Sequence, residues 1–368
     1  MKSFNDFIVD IKQLRINALN IKSNLDRNVR FCAIVKANAY GLGVETVCKS
    51  LYGIADFFAV SSVWEALNIR IFDKITPIVV LGMTDLDNIK VASKNDISIS
   101  VSNLEQLLKI AEYSAEFSCN LKIHLQVNSG LNRYGFKSLP LFKSALKLIE
   151  SSKNLSLEGV YSHFATKSND IVFLKKQFVK FNQFRNVVKN ENVIFHISNS
   201  YATSLDKKFH LNMVRNGFAL YGGSNYFGNK FVLSIKSKLV NVFDVKKGDT
   251  IGYDRTFVVS KSMKIGVVPL GYADGYDRRL SNNFYVLVGG EKCRILGNIC
   301  MDCFMVDLTT LDAKVGDTVV ILGRQKQNSI TLQDIADILQ TSPYEVMLKF
   351  NYKRMNYIAK NWFCFFKK

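Results

Sequence analysis

As far as about Tyr221, short apolar runs alternate with stretches of helical spacing. The runs are Phe31–Val35, Phe57–Val60, Pro77–Leu81, Ile97–Val101, Leu121–Val127, Leu157–Ser162, Ile194–Ile197 and Val214–Tyr221. Each is apolar at most positions, the pattern of a strand covered on both faces. Between them, Val47–Tyr52, Leu104–Ile110 and Val172–Val188 carry apolar residues at helical intervals, and Asn103 is a candidate N-cap for the second. Strands alternating with helices make a parallel sheet. Eight such units in this length match the (β/α)8 barrel, a TIM-like fold. Periodicity alone leaves an open doubly wound sheet as the alternative.

After about Tyr226 the pattern changes. Val232–Val242 reads as one strand and Lys246–Asp249 as a turn. Lys264–Leu270, Tyr285–Val288, Lys292–Leu296, Phe304–Leu308 and Thr318–Leu322 follow as short strands broken by glycines. One helix is expected near Leu332–Leu339, and the chain ends in an aromatic, basic tail. A chain of 368 residues is too long for one ordinary core. The expectation is α/β plus β: an N-terminal barrel domain over residues 1–228 and a C-terminal, mainly-β domain over residues 229–368.

Composition narrows the classes. Hydrophobic residues make up 48% and charged residues 22%, an ordinary globular balance. No apolar run is long enough to span a bilayer, and the first residues carry acids without a secretory h-region, so a cytoplasmic protein is expected. The seven cysteines are scattered and odd in number, which argues against a disulfide framework. Cys300 and Cys303 form a lone C-x-x-C near Cys293 with no histidine close by, so no metal site is expected. The formal charge of +18 raises the question of nucleic acid. The lysines are spread through most segments and interrupted by acids, which reads instead as solvated faces with some attraction for small anions.

Candidate chemistry collects at the ends of the expected strands. Phe31–Val35 runs straight into Lys36, followed by Ala37-Asn38-Ala39-Tyr40-Gly41-Leu42-Gly43. A lysine at the carboxyl edge of a barrel strand stands near apolar walls; desolvation lowers its pKa, and a neutral amine can attack a carbonyl. The alternative is a lysine that snorkels out to water. Arg133, in the loop after the fifth strand, offers a donor fork suited to a phenolate or carboxylate. His163 ends the sixth strand and could stack on an aromatic ring or bond a phenol. His196 through Ser200 end the seventh, and Val214 through Gly222 form the eighth, where barrels often bind phosphate.

The wording of these segments is more specific than their physics. Val35–Gly43 resembles the cofactor-lysine motif of the alanine racemases, which bind pyridoxal 5′-phosphate (PLP). Asn128–Phe136 is similar to the family's D-T-G-M-N-R-L-G-F, His196–Ser200 to H-x-x-N-S, and Val214–Gly222 to V-R-x-G-x-x-x-Y-G. Gly252–Phe257, Gly271–Gly275 and Gly297–Asp302 resemble S-Y-G-x-T-F/Y, G-Y-A-D-G and G-x-I/V-C/S-M-D.

The resemblance implies an amino-acid racemase that interconverts L- and D-alanine by two bases, supplying D-alanine for peptidoglycan. Lys36 and Tyr253 are the implied bases. Lys36, Tyr40, Arg133, His163, Ser200, Arg215, Gly217, Phe218 and Tyr352 are the implied PLP residues, and Arg133, Tyr272, Met301 and Asp302 the implied substrate residues. In the family the tyrosine comes from the other subunit, so a homodimer with shared active sites is implied. Gln126 stands where many members carry a lysine, carbamylated in some, that braces the arginine. A buried Arg133 beside neutral Gln126 leads us to expect a small anion such as chloride. Three alternatives remain at this stage: a serine or broad-specificity racemase, a PLP-carrying homeostasis protein, and a basic amino-acid decarboxylase. Tyr253 argues against the second and Arg215 against the third.

Overall fold

The computed structural model describes residues 3–166 and 170–361, so the aromatic, basic tail from Trp362 lies outside the described residues. Contacts divide the chain into two compact units, one of residues 14–39 and 43–230, the other of residues 1–13, 40–42 and 231–368. The opening strand, β1 (Asp6–Asp10), belongs to the second.

The first unit is built on eight parallel strands: β2 (Arg30–Ile34), β3 (Phe57–Val60), β4 (Ile78–Val80), β5 (Ile97–Val101), β6 (Leu121–Gln126), β7 (Leu155–Tyr161), β8 (Ile194–His196) and β9 (Met213–Asn216). They pair in sequence order from β2 to β8, and β9 pairs with β2. The two ends of this order meet: Asn212 N–H donates to Phe195 O and Arg215 N–H to Ser198 O, each at 3.0 Å. The result is a nearly closed barrel rather than an open doubly wound sheet. Helices follow the strands with side-chain caps. Asn103 accepts from Gln106 N–H, as its position suggested, and Ser62, Ser138, Asp170 and Asn199 cap four more. The apolar run Val214–Tyr221 is not one strand. The chain turns after Asn216, with Tyr221 N–H donating to Gly217 O at 3.3 Å and Gly223 N–H to Phe218 O at 2.9 Å.

The second unit holds β10 (Leu233–Lys238), β11 (Asn241–Val245), β12 (Thr250–Ile251), β13 (Phe257–Val258), β14 (Met263–Val268), β15 (Tyr285–Val288), β16 (Glu291–Leu296), β17 (Phe304–Asp307), β18 (Thr318–Gln325), β19 (Asn328–Ile330) and β20 (Asn356–Lys360). Its main sheet runs β11-β14-β17-β16-β15-β18-β10-β1-β20. The apolar run Val232–Val242 therefore splits, and its halves lie far apart in the sheet. The break falls at Leu239–Val240, where Leu239 N–H turns to Asp317 O and Val240 N–H to Val267 O. β1 takes its place by pairing antiparallel with β10 and parallel with β20. Among the described residues, no helix is long and apolar enough to cross a membrane.

Candidate active site

Lys36 directly follows the buried residue Val35 at the carboxyl end of β2, and it is exposed. The backbone after it is unusual. Ala37, Asn38, Ala39 and Tyr40 all have positive φ, at 52°, 54°, 54° and 58°, a left-handed helical turn without glycine. Such a conformation costs a non-glycine residue roughly 1–2 kcal/mol. It persists because its polar groups are tied down. Ala37 N–H donates to Glu65 Oε1 at 2.7 Å, Ala39 N–H to Val35 O at 2.8 Å, and Val44 N–H to Asn38 Oδ1 at 2.8 Å. The other Glu65 oxygen accepts from Ser61 N–H and Ser61 Oγ. Backbone strain of this kind concentrates where function needs one fixed geometry.

The protein packed around the Lys36 amine, and then the charge of Arg133, lower its pKa; Glu65 opposes them in part. Arg133 is exposed, its guanidinium 5.8 Å from the Tyr134 ring centre. This corrects the expectation of a buried arginine braced beside Gln126. Gln126 is buried, but its side-chain oxygen already accepts from Ser102 Oγ at 3.2 Å. In the loop bearing Arg133, Asn128 Oδ1 gathers the N–H groups of Gly130 and Asn132, which folds the segment back on itself just before the exposed arginine. The buried cation that would have recruited chloride is absent from this arrangement.

Arg215, on β9, is 3% exposed. Its guanidinium donates to His196 Nδ1 at 2.7 Å, Ser162 O at 2.7 Å, His163 Nδ1 at 3.0 Å and Ile197 O at 3.4 Å. Every one of these acceptors is neutral. Burial pulls the arginine down to about 10. Burial first, and then the charges of Arg215, Arg133 and Lys36, hold His163 at about 3. His196 is likewise held neutral by burial and by Arg215. The barrel thus brings Lys36, Arg133, His163 and Arg215 into one electrostatic cluster. Ser200 opens the short helix Ser200–Leu205, and its hydroxyl accepts from Ala219 N–H at 3.4 Å, beside Gly217 and Phe218. Gly223 lets the Phe218 ring lie against the backbone; a Cβ there would come within 2.2 Å of it.

The other candidates lie in the second unit. Tyr253 is 72% exposed and follows Gly252, whose φ is 76°. Asn298 Nδ2 donates to Tyr253 O at 3.1 Å and fixes that turn. The Gly271–Gly275 loop lies on the Cys300–Asp302 turn: Tyr272 N–H donates to Cys300 O and Ala273 N–H to Met301 O, each at 3.1 Å. A Cβ on Gly271 would sit 2.2 Å from Met301 O, so two motifs far apart in sequence share one close backbone contact that only glycine allows. Tyr272 and Met301 are exposed, and Asp302 is held by Arg354, whose Nε also lies 3.1 Å from Asp274. Tyr352 packs against Phe7 and Tyr357, and Tyr40 against Tyr344. Cys293, Cys300 and Cys303 are free thiols, and among the described residues no group of three or more His, Cys, Asp and Glu is placed to hold a metal.

Sequence reasoning missed Glu65, Arg354, His124 and Glu158. The signal for His124 was present, since a histidine in the middle of an apolar strand must find a buried partner.

The alanine racemase N-terminal domain family matches residues 9–225, and the alanine racemase C-terminal domain family residues 232–358. Alanine racemase 2 of Caldanaerobacter subterraneus subsp. tengcongensis is 35% identical over 92% of this chain and 90% of its own. The alanine racemase of Lactobacillus acidophilus is 35% identical over 93% and 94%. Among solved structures, the alanine racemase from E. faecalis superposes with a TM-score of 0.92 at 31% identity, covering 97% of this chain and 98% of that one. The histidine racemase from Leuconostoc mesenteroides subsp. sake gives a TM-score of 0.86 at 29% identity, covering 96% and 97%. The matches span both units, and the protein belongs to the alanine racemase family of amino-acid racemases.

Proposed function

We propose that this chain racemises alanine with PLP, as a cytoplasmic homodimer that provides D-alanine for peptidoglycan. The observation that carries the reading is Arg215, a buried cation held by neutral acceptors in the same cluster as a lysine whose amine is biased toward its neutral form. The donor set suits an anionic, aromatic cofactor: Arg133 and Arg215 are cations, the Lys36 amine is biased toward its neutral, nucleophilic form, His163 is neutral, and among the described residues no carboxylate touches Arg215. Lys36 would hold the carbonyl of the cofactor, with Arg133 and His163 beside its ring. Tyr40, Ser200, Gly217, Phe218 and Tyr352 would hold its phosphate. When bound, the cofactor supplies a ring that withdraws electrons from the substrate Cα and acidifies its proton.

The side chains do the rest. Arg215 can only donate, so facing the ring nitrogen it would leave that nitrogen unprotonated and would temper how strongly the ring withdraws electrons, which would favour quick return of a proton to Cα. Inversion needs proton carriers on opposite faces of Cα. Lys36 serves the D-substrate and Tyr253 the L-substrate, because a single lysine would tend to return the proton to the face it came from. Arg133, Tyr272, Met301 and Asp302 are assigned to the substrate. The exposure of Tyr253 supports a role toward a second copy of the chain. The free thiols support a reducing compartment.

Incubating the purified protein with L-alanine in deuterated water tests the reading. Cα exchange with loss of chirality and retained carboxylate is expected. Release of carbon dioxide, or exchange without inversion, refutes it. L-serine and L-histidine arms measure substrate breadth, the latter because a histidine racemase shares this fold.

A further inference from the structure

The neutral surroundings of Arg215 leave a physical debt, since a buried cation without a counter-charge is expensive. A carboxylate stands further along the same hydrogen-bond chain. His196 Nε2 lies 2.9 Å from His124 Nδ1, and His124 Nε2 lies 2.9 Å from Glu158 Oε2. His124 and His196 are fully buried, and Ser98 Oγ donates to the same Glu158 oxygen.

The chemistry at its two ends sets the direction of this chain. Arginine only donates, so His196 Nδ1 must carry the lone pair, and a neutral His196 then has its proton on Nε2. That proton is donated to His124 Nδ1, which leaves the His124 proton on Nε2, facing Glu158. An ionised carboxylate only accepts, so it demands the same polarity from the other end. Burial alone would raise the Glu158 carboxyl, but His124, Ser98 and Lys122 bring it below its ordinary value.

The backbone is shaped for this contact. Between β6 and β7 the register shifts: Ile123 pairs with Leu157, yet His124 pairs with Gly159, so Glu158 is the extra residue of a bulge. Bulges re-aim a side chain. Gly159 in turn makes room for the imidazole, since a Cβ there would lie 2.3 Å from His124 Nδ1.

We propose that Glu158 is a positioning residue and remote counter-charge for Arg215, acting through the fixed tautomers of His124 and His196. The proposal rests on the reading that Arg215 serves the racemase site.

The chain has only four histidines, so their ring nitrogens can be followed individually by 15N NMR in the full-length protein without cofactor. The expected result is Nε2–H, with a bare Nδ1, at both His124 and His196. His210, whose Nε2 donates to Thr203 O, is the internal reference. In E158Q the His124 and His196 signals should shift while His210 stays. Its kcat should fall roughly 10- to 100-fold, the loss that follows removal of a carboxylate that orients a metal-ligating histidine, with KM nearly unchanged. A proton on Nδ1 of either histidine in the unmutated protein overturns the proposal, and so does wild-type kcat in E158Q. The tautomers are read on the unmutated chain and without turnover. The test therefore survives a variant that does not fold, and it separates failure of the relay from failure of the racemase reading.

Discussion

Gly159→Ala should be among the most damaging single-methyl additions in the barrel. The new Cβ would lie 2.3 Å from His124 Nδ1 and 2.4 Å from Cε1. One side must move by roughly 1 Å to restore ordinary contact. The backbone of Gly159 is held in ladders on both sides, against His124 on β6 and Ile194 on β8. The imidazole is held at both nitrogens, each bond 2.9 Å long. Moving the ring sacrifices a buried hydrogen bond, worth about 1–3 kcal/mol when a partner is left unsatisfied. Keeping the ring in place leaves overpacking of about 1–3 kcal/mol. Either route costs roughly 1–3 kcal/mol, and a partial shift that incurs both costs roughly 2–6 kcal/mol. A chain of two units need not unfold in one step, so the measurement is hydrogen exchange of the β6 and β7 amides, which reports the barrel's own opening free energy. The decisive comparison is a double-mutant cycle with His124→Ala, which removes the obstructing ring. The double variant should be no less stable than His124→Ala to within about 0.5 kcal/mol. Additive losses, or a Gly159→Ala protein as stable as wild type, would refute the steric argument.

Tyr253→Phe should slow racemisation in both directions, because each direction needs both bases. Exchange of the D-alanine α-proton, which needs only Lys36, should survive better than exchange from L-alanine; equal losses would contradict the assignment. Mixing inactive Lys36→Ala and Tyr253→Ala proteins under subunit exchange should restore some activity, since one site of each heterodimer keeps both bases. No recovery despite verified exchange would mean that the site is built within one chain. His163 has its ordinary value of 6.5 lowered to about 3 on folding, so between these values the unfolded chain binds a proton that the folded one does not. Stability should therefore fall as pH drops through this window, and His163→Gln should flatten part of the slope in acid denaturation. An unchanged slope would show that His163 does not stay neutral.

The chain's own residues determined the alternation of strands and helices, the change to β structure after the barrel, and the Asn103 cap. These are local or periodic properties: an apolar run of strand length is buried whatever it packs against, and a cap needs only the next three residues. The lysine at the end of β2 was legible for the same reason. Its left-handed turn was not, because Ala37, Ala39 and Tyr40 have no intrinsic preference for positive φ, and the turn is anchored at Ala37 by Glu65, distant in sequence. Only the tertiary structure placed β1 in the C-terminal sheet, since a five-residue strand draws its stability from two neighbours more than 200 residues away. Arg133 shows the limit from the other side. Its identity suggested a buried cation, whereas its exposure is decided by how the Asn128 loop folds back on itself. The chain from Arg215 through two histidines to Glu158 joins residues from four segments of the sequence. No spacing announces it, because hydrogen bonds through a barrel interior depend on which strands are neighbours and on a one-residue bulge, and both are settled only when the sheet closes.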